Sequence, residues 1–212
     1  MQEIYDEDYF ERGLVTGKSC YVNYRWLPEL TIPMAMTMID LLEIKRGDSI
    51  LDFGTAKGFL VKAFRMLHRK AWGVDISRYA IENVDLSVKD YCFLVEEDKM
   101  FDAFDMMFDF CIAKDVFEHI EKDKLINILK SIPARILFAI IPLGENGKYR
   151  IPAYELDITH VIREDEDWWL SLFGECGWNF KNFFFRVKGI KDNWAKFRKG
   201  NGFFILRKED ES

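Results

Sequence analysis

Histidine is scarce in this sequence, with three in 212 residues, and cysteine hardly less so, with four. Cys20, Cys92, Cys111 and Cys176 have no C-x-x-C spacing, which removes the thiol-pair zinc and redox motifs and reads as reduced thiols of a cytoplasmic protein. No apolar run approaches the roughly 18 residues of a membrane span, so no membrane partner is expected. Met1–Phe10 is acidic and has none of the basic residues that open a secretory signal. Internal repeats and low-complexity linkers are missing as well. Positive charge is in deficit: the net charge of −6 argues against general affinity for a phosphate backbone, and so against nucleic acid.

What is present is a core-forming composition, 49% apolar with 19 phenylalanines, at a length that suits one domain with an N-terminal extension. The expected division is an N-terminal cap segment and helix over residues 1–45 and a main domain over 46–212. Leu30–Leu42 carries apolar residues at helical intervals. After it come a strand at Ile50–Phe53, a helix at Phe59–Leu67, a strand at Ala71–Asp75, a helix from about Arg78 and a short strand near Cys92–Val95. Phe108–Ala113 reads as a strand, Lys122–Lys130 as a helix and Arg135–Ile141 as a near-continuous apolar run of the kind buried on both faces. This alternation predicts an open α/β sheet. Phe183–Val187 and Phe203–Leu206 are strand-like with only a loop between them, so an antiparallel pair is expected there.

Chemistry concentrates in Ser49–Val61, SILDFGTAKGFLV. An apolar strand runs into Gly54, Ala56 and Gly58, and a helical segment follows, the geometry that brings backbone close to a nucleotide-like ligand. Asp75 ends the next apolar run, seventeen residues after Gly58, where a carboxylate about 20 residues past the turn grips a ribose diol. The dinucleotide fingerprint G-x-G-x-x-G is not matched, because Gly54-Thr55-Ala56-Lys57-Gly58 is one residue shorter.

With Asp52 two residues ahead of Gly54, the spacing resembles motif I of class I S-adenosylmethionine (SAM) dependent methyltransferases. Gly73–Val84, Met107–Ile120 and Tyr154–Trp178, with its Thr159-His160-Val161 triplet, are similar to later motifs of that family in the same order. The opening Tyr5–Gly13, YDEDYFERG, looks like the start of small methyltransferases found with polysaccharide biosynthesis. Ala56 departs from the glycine that many members carry. The resemblance implies a Rossmann-like fold with an open, mostly parallel seven-stranded sheet, helices on both faces and an antiparallel final strand. It also implies SAM as cofactor and methyl transfer to a small-molecule acceptor, with a glycan association.

On that reading Gly54, Thr55, Ala56 and Gly58 line the methionine and ribose portions of the cofactor through their backbone. Asp52 orients the turn or accepts from the cofactor ammonium, Asp75 takes the ribose hydroxyls and Ile76 packs on the adenine. Glu97 or Asp98 accepts from the adenine amine, and Lys114 offers its backbone carbonyl. Tyr24 or Arg25 meets the cofactor carboxylate, for which a guanidinium is well shaped. His119 and His160 follow the carboxyl ends of predicted strands, where ligands of open α/β sheets bind. His160, with Asp157 three residues before it, is the preferred general base for a hydroxyl acceptor; a structural histidine bonding the backbone is the competing reading. No third ligand presents itself beside Asp157 and His160, so no metal is expected.

Three alternatives stay open at this stage: an N-methyltransferase, a nucleic-acid methyltransferase using the basic residues between Arg186 and Lys208, and a SAM-binding domain without turnover. The basic tail itself reads first as a solvated hairpin loop. Lys114-Asp115-Val116-Phe117 stands where amino-directed DNA methyltransferases carry an N/D-P-P-Y/F tetrapeptide. The acceptor and the oligomeric state are not written in the sequence.

Overall fold

The computed structural model describes residues 2–208. Its frame is set by strands too apolar to face water. β1 (Ser49–Phe53) is buried at every position, and β5 (Ala134–Pro142) is buried at all but two. With β2 (Lys70–Asp75), β3 (Cys92–Leu94) and β4 (Phe108–Lys114) they form the parallel part of one sheet. After β5 a short hairpin, β6 (Gly144–Glu145) and β7 (Lys148–Tyr149), stands apart from it. The chain then makes β8 (Trp178–Phe184) and β9 (Asn201–Lys208), giving a seven-stranded order β3-β2-β1-β4-β5-β9-β8. β9 is antiparallel to both neighbours, so the last strand in sequence is an inner strand, not the edge.

Alternation along β5 shows how the sheet divides its two cores. Leu137, Ala139 and Ile141 face one side with Phe108, Trp169, Phe173 and Trp178; Phe138 and Ile140 face the other with Phe64, Ile112 and Phe203. The first side is covered by α6 (Lys122–Ser131) and α7 (Glu166–Glu175), the second by α3 (Pro28–Leu42) and α4 (Phe59–Met66). Trp178 is buried, and its indole donates to the Leu129 carbonyl at 2.9 Å, so burial leaves no orphaned donor. Two short N-terminal helices follow one another, α1 (Glu7–Glu11) and α2 (Gly13–Thr16), and the α1 aromatics Tyr9 and Phe10 pack against α5 (Arg78–Glu82).

Every strand and helix expected of the main domain is present, with one strand moved. The strand expected at Phe183–Val187 runs over Trp178–Phe184 instead. Its outer residues Asn179, Phe180 and Lys181 are exposed, and a register shift lies between Phe180 and Asn182, so the polar edge strand lacks an apolar alternation.

Candidate active site

One cavity of about 920 Å³ opens at the carboxyl ends of the parallel strands, and both halves of the sheet contribute to it. At the β1–β2 end the tight turn is built by backbone geometry. Gly54 has φ +77°, and a Cβ there would stand 2.4 Å from Val116 Cγ2. Ala56 also lies in the left-handed region, at φ +49°, which is where a glycine would sit without strain. The Gly54 and Thr55 amides donate to the Val74 carbonyl, and the Thr55 hydroxyl donates to Asp52 Oδ2 at 2.7 Å. Asp75 accepts from the Ala56 amide at 2.7 Å and the Ser77 amide at 2.8 Å, one on each oxygen. Burial pushes the Asp52 carboxyl up to about 7, with the Thr55 hydroxyl opposing and the Asp75 charge adding; burial raises Asp75 as well.

Beyond β4 and β5 the wall changes character. Glu118 is fully buried, and neither carboxylate oxygen has a hydrogen-bond partner among the described residues. His119 Nε2 and His160 Nε2 each lie 3.9 Å from its Oε1, and the two imidazole rings meet edge to face at 4.5 Å. His160 Nδ1 is bonded to the Tyr154 carbonyl at 2.8 Å, and His119 Nδ1 to the Thr159 hydroxyl at 2.7 Å. Thr159 in turn donates to Asp157 Oδ1, whose other oxygen accepts from the Tyr9 hydroxyl at 2.8 Å. Burial pushes Glu118 well above the carboxylate range, pushes His119 down to about 4 and lowers His160, so both imidazoles are neutral bases at pH 7.

Segments distant in sequence close the rest of the cavity. Tyr5, Tyr9, Tyr21 and Tyr24 come from the N-terminal segment, and Lys191 and Trp194 from the β8–β9 loop. Asp115, in the left-handed region at φ +56°, is clamped between Lys114 Nζ, at 2.6 Å, and Lys191 Nζ. Burial opposes its ionisation, yet the two lysines hold the Asp115 carboxyl well below its ordinary range. Behind the lining Lys57 is buried, paired with Glu11, and donates to the Tyr24 carbonyl at 3.0 Å, which ties the N-terminal segment to the turn.

Of the residues expected in the site, Asp52, Gly54, Thr55, Ala56, Asp75, Ile76, Glu97, Lys114, Tyr24, Arg25, Asp157, His119 and His160 line this cavity. Gly58 and Asp98 are outside its lining. Gly58, at φ +72°, starts α4 and packs on Cys92, Val84 and Val88, while Asp98 is exposed. The turn offers the cavity its surface rather than its donors, since the amides of Gly54, Thr55, Ala56 and Gly58 are all bonded internally. Asp157 orients His119 through Thr159; its carboxylate makes no hydrogen bond to the His160 ring. The basic tail is not a plain solvated loop, because Lys191 is buried in the wall against Asp115. Glu118, Asp115, Tyr5, Tyr9 and Lys191 were not singled out by sequence reasoning. The Glu118-His119 pair right after β4 was the available signal.

Residues 34–136 match a methyltransferase domain family. That stretch, just under half of the chain, is similar to SAM-dependent methyltransferases. Solved structures agree on its fold at low identity. The methyltransferase complexed with the Haloferax volcanii Trm112 methyltransferase activator is 14% identical over 87% of this chain and 92% of that one, with a TM-score of 0.64. A SAM-dependent methyltransferase from Archaeoglobus fulgidus is 14% identical over 82% and 92%, with a TM-score of 0.62. The [4+2]-cyclase SpnF is 12% identical over 84% and 81%, with a TM-score of 0.61, so the shared fold does not by itself fix a reaction. A search of curated proteins gives no match. The residues present fit that cofactor: Asp52 places a buried carboxylate and Asp75 a half-buried one in the cavity lining, neither ion-paired among the described residues, and SAM brings an ammonium and a sulfonium. Among the described residues no helix is long and apolar enough to cross a membrane.

Proposed function

We propose that this chain transfers the methyl group of SAM to an oxygen of a small hydroxylated acceptor, a sugar or nucleotide-linked sugar. The observation that carries the reading is the group formed by Glu118, His119 and His160, two neutral imidazoles converging on a buried carboxyl in the same cavity as the cofactor motif. A hydroxyl must lose its proton near neutral pH to become a methyl acceptor, and a group of neutral bases is what draws it off. The walls suit a sugar: tyrosine rings and Trp194 offer apolar faces, while phenol hydroxyls and Lys191 offer polar contacts. The cavity is also roofed by the N-terminal segment and the β8–β9 loop, which favours a small acceptor over a duplex.

Bound SAM supplies a methyl group already activated on a positive sulfur, so the chain's task is chiefly alignment. In this reading Asp75 holds the ribose hydroxyls, Ile76 the adenine face and Glu97 the adenine amine. Asp52 faces the ammonium, and Tyr24 with Arg25 faces the carboxylate. The acceptor oxygen lies against the imidazoles, and its proton leaves through the Glu118–His119–His160 group. A screen of sugar, nucleotide-sugar, amine and nucleic-acid acceptors, followed by S-adenosylhomocysteine (SAH) release, tests this. Turnover on hydroxylated small molecules is expected. Turnover confined to amines or nucleic acid overturns it.

A further inference from the structure

We propose that Glu118, His119 and His160 bind one divalent transition-metal cation inside this cavity. Three features of the geometry lead there. First, the lone-pair-bearing atoms converge: one oxygen and two nitrogens, all within 4.8 Å of one another. Second, none of the three is a donor to another. The Thr159 hydroxyl spends its hydrogen on Asp157, so it accepts from His119 Nδ1–H; the Tyr154 carbonyl accepts from His160 Nδ1–H. Both imidazoles are therefore fixed as the tautomer whose Nε2 carries a lone pair, and both Nε2 atoms face the carboxylate. Third, the Glu118 carboxylate is fully buried without a hydrogen-bond partner among the described residues, an arrangement that a cation relieves.

A shared proton does not close this cluster, because 3.9 Å is too long for a hydrogen bond. A metal ion does. Metal–ligand bonds of about 2.1 Å place neighbouring ligand atoms roughly 3.0–3.4 Å apart, so the three side chains need to move in by only about half an ångström. Two imidazoles and one carboxylate on one side of an ion leave further positions open, the pattern of Fe²⁺, Mn²⁺, Co²⁺ or catalytic Zn²⁺ sites. The outer partners are those of a built site: each histidine gives its other N–H to an oxygen, and Asp157 anchors one of them through Thr159. The Glu118 carbonyl also accepts from the Val161 and Ile162 amides, at 2.8 and 3.1 Å, which pins the two ligand-bearing loops together.

The use of the ion rests on the O-methylation reading given above. With the ion bound, the imidazole lone pairs are engaged as ligands, so the open positions would take the acceptor hydroxyl, which would ionise there and give its proton to water in place of the imidazoles. Its oxygen then forms the O–CH₃ bond as the S–CH₃ bond breaks, and neutral SAH leaves. This narrows the acceptor to one whose reacting hydroxyl has a second oxygen beside it, able to chelate.

The test is Mn²⁺ and Co²⁺ titration of the full chain, metal-stripped, with and without SAH, read by paramagnetic resonance, cobalt absorption and calorimetry. One ion per chain is expected, with binding lost in Glu118→Gln and in His160→Gln and kept in His68→Ala. Thr159→Val, which changes no ligand atom, is expected to weaken binding about 10–100-fold and serves if the ligand variants fail to fold. Absence of stoichiometric binding to the wild-type chain, or equal binding in Thr159→Val and Glu118→Gln, overturns the site. SAH affinity measured on the same samples separates the failures. Intact SAH binding without metal binding removes the cation alone, whereas loss of both removes the placement of the cofactor in this cavity.

Discussion

Asp75 and Glu118 are both carboxylates in the wall of one cavity, the first after β2 and the second after β4. Asp75 is met by two backbone amides, one from its own turn and one from the turn after β1. Glu118 is met by no donor among the described residues, only by the lone pairs of two histidines. The first carboxylate is oriented by donors that the fold itself supplies. The second is left for something the chain does not supply: a proton, an acceptor hydroxyl or an ion. One end of the cavity is finished by folding, and the other is finished by what binds.

The sharpest way to break this comparison is at the finished end. Gly54→Val requires a branched side chain at φ +77° and against Val116, so SAH binding is expected to vanish by calorimetry. Retained affinity in a folded variant would mean the turn does not define the cofactor site. At the other end, His160→Ala and His119→Ala should each lower turnover about 10²–10⁴-fold and leave SAH affinity near wild type. Similar losses mark the pair as one unit, whereas loss in only one assigns the work to a single imidazole.

Asp75→Ala should weaken SAH binding by about 1.5–3 kcal/mol for each lost bond to an ionised group. Unchanged affinity would remove Asp75 from the ribose site. Asp52 gives a pH signature. Its carboxyl is pushed up to about 7 in the fold, so the folded, ligand-free chain favours the protonated form. That chain loses stability as pH rises from about 4 through 7. The cofactor ammonium needs the carboxylate, so SAH affinity should rise by up to about tenfold per pH unit below 7 and level off above it. Lys114 and Asp75 act on the same group from neighbouring strands, so the control is Asp52→Asn, whose profile should be flat. The smallest effect belongs to Ala56→Gly. Relief of the left-handed alanine should raise stability by about 1 kcal/mol in thermal denaturation, with SAH affinity unchanged.

The finished end was legible in the sequence because its parts are neighbours. Asp52, Gly54, Ala56 and Asp75 lie within one strand–turn–helix–strand unit, where spacing dictates contact. Even there, the spacing did not reveal that Gly58 serves the helix start rather than the ligand. The other end was half legible. His119 and His160 could be placed by the rule that ligands bind beyond the carboxyl ends of strands, but their common partner Glu118 looked like any surface acid. The cavity it lines also takes Tyr9, Asp157 and Lys191 from three other parts of the chain. Charge runs mislead for the same reason: Lys191 belongs to a basic stretch, and its partner Asp115 is 76 residues away.

The place of β9 bears on how such a chain is made. Residues 201–208 are the last described, yet they sit between β5 and β8 and hydrogen-bond to both. While the chain leaves the ribosome, β5 has its parallel neighbour but carries a long, apolar, unpaired margin, the kind of edge that recruits other strands. The β8–β9 loop with Lys191 cannot be drawn against Asp115 until that margin is filled. Assembly is thereby ordered in time: the turn after β1 can form early, whereas the wall that carries Lys191 closes only after residue 208 has emerged and entered the sheet.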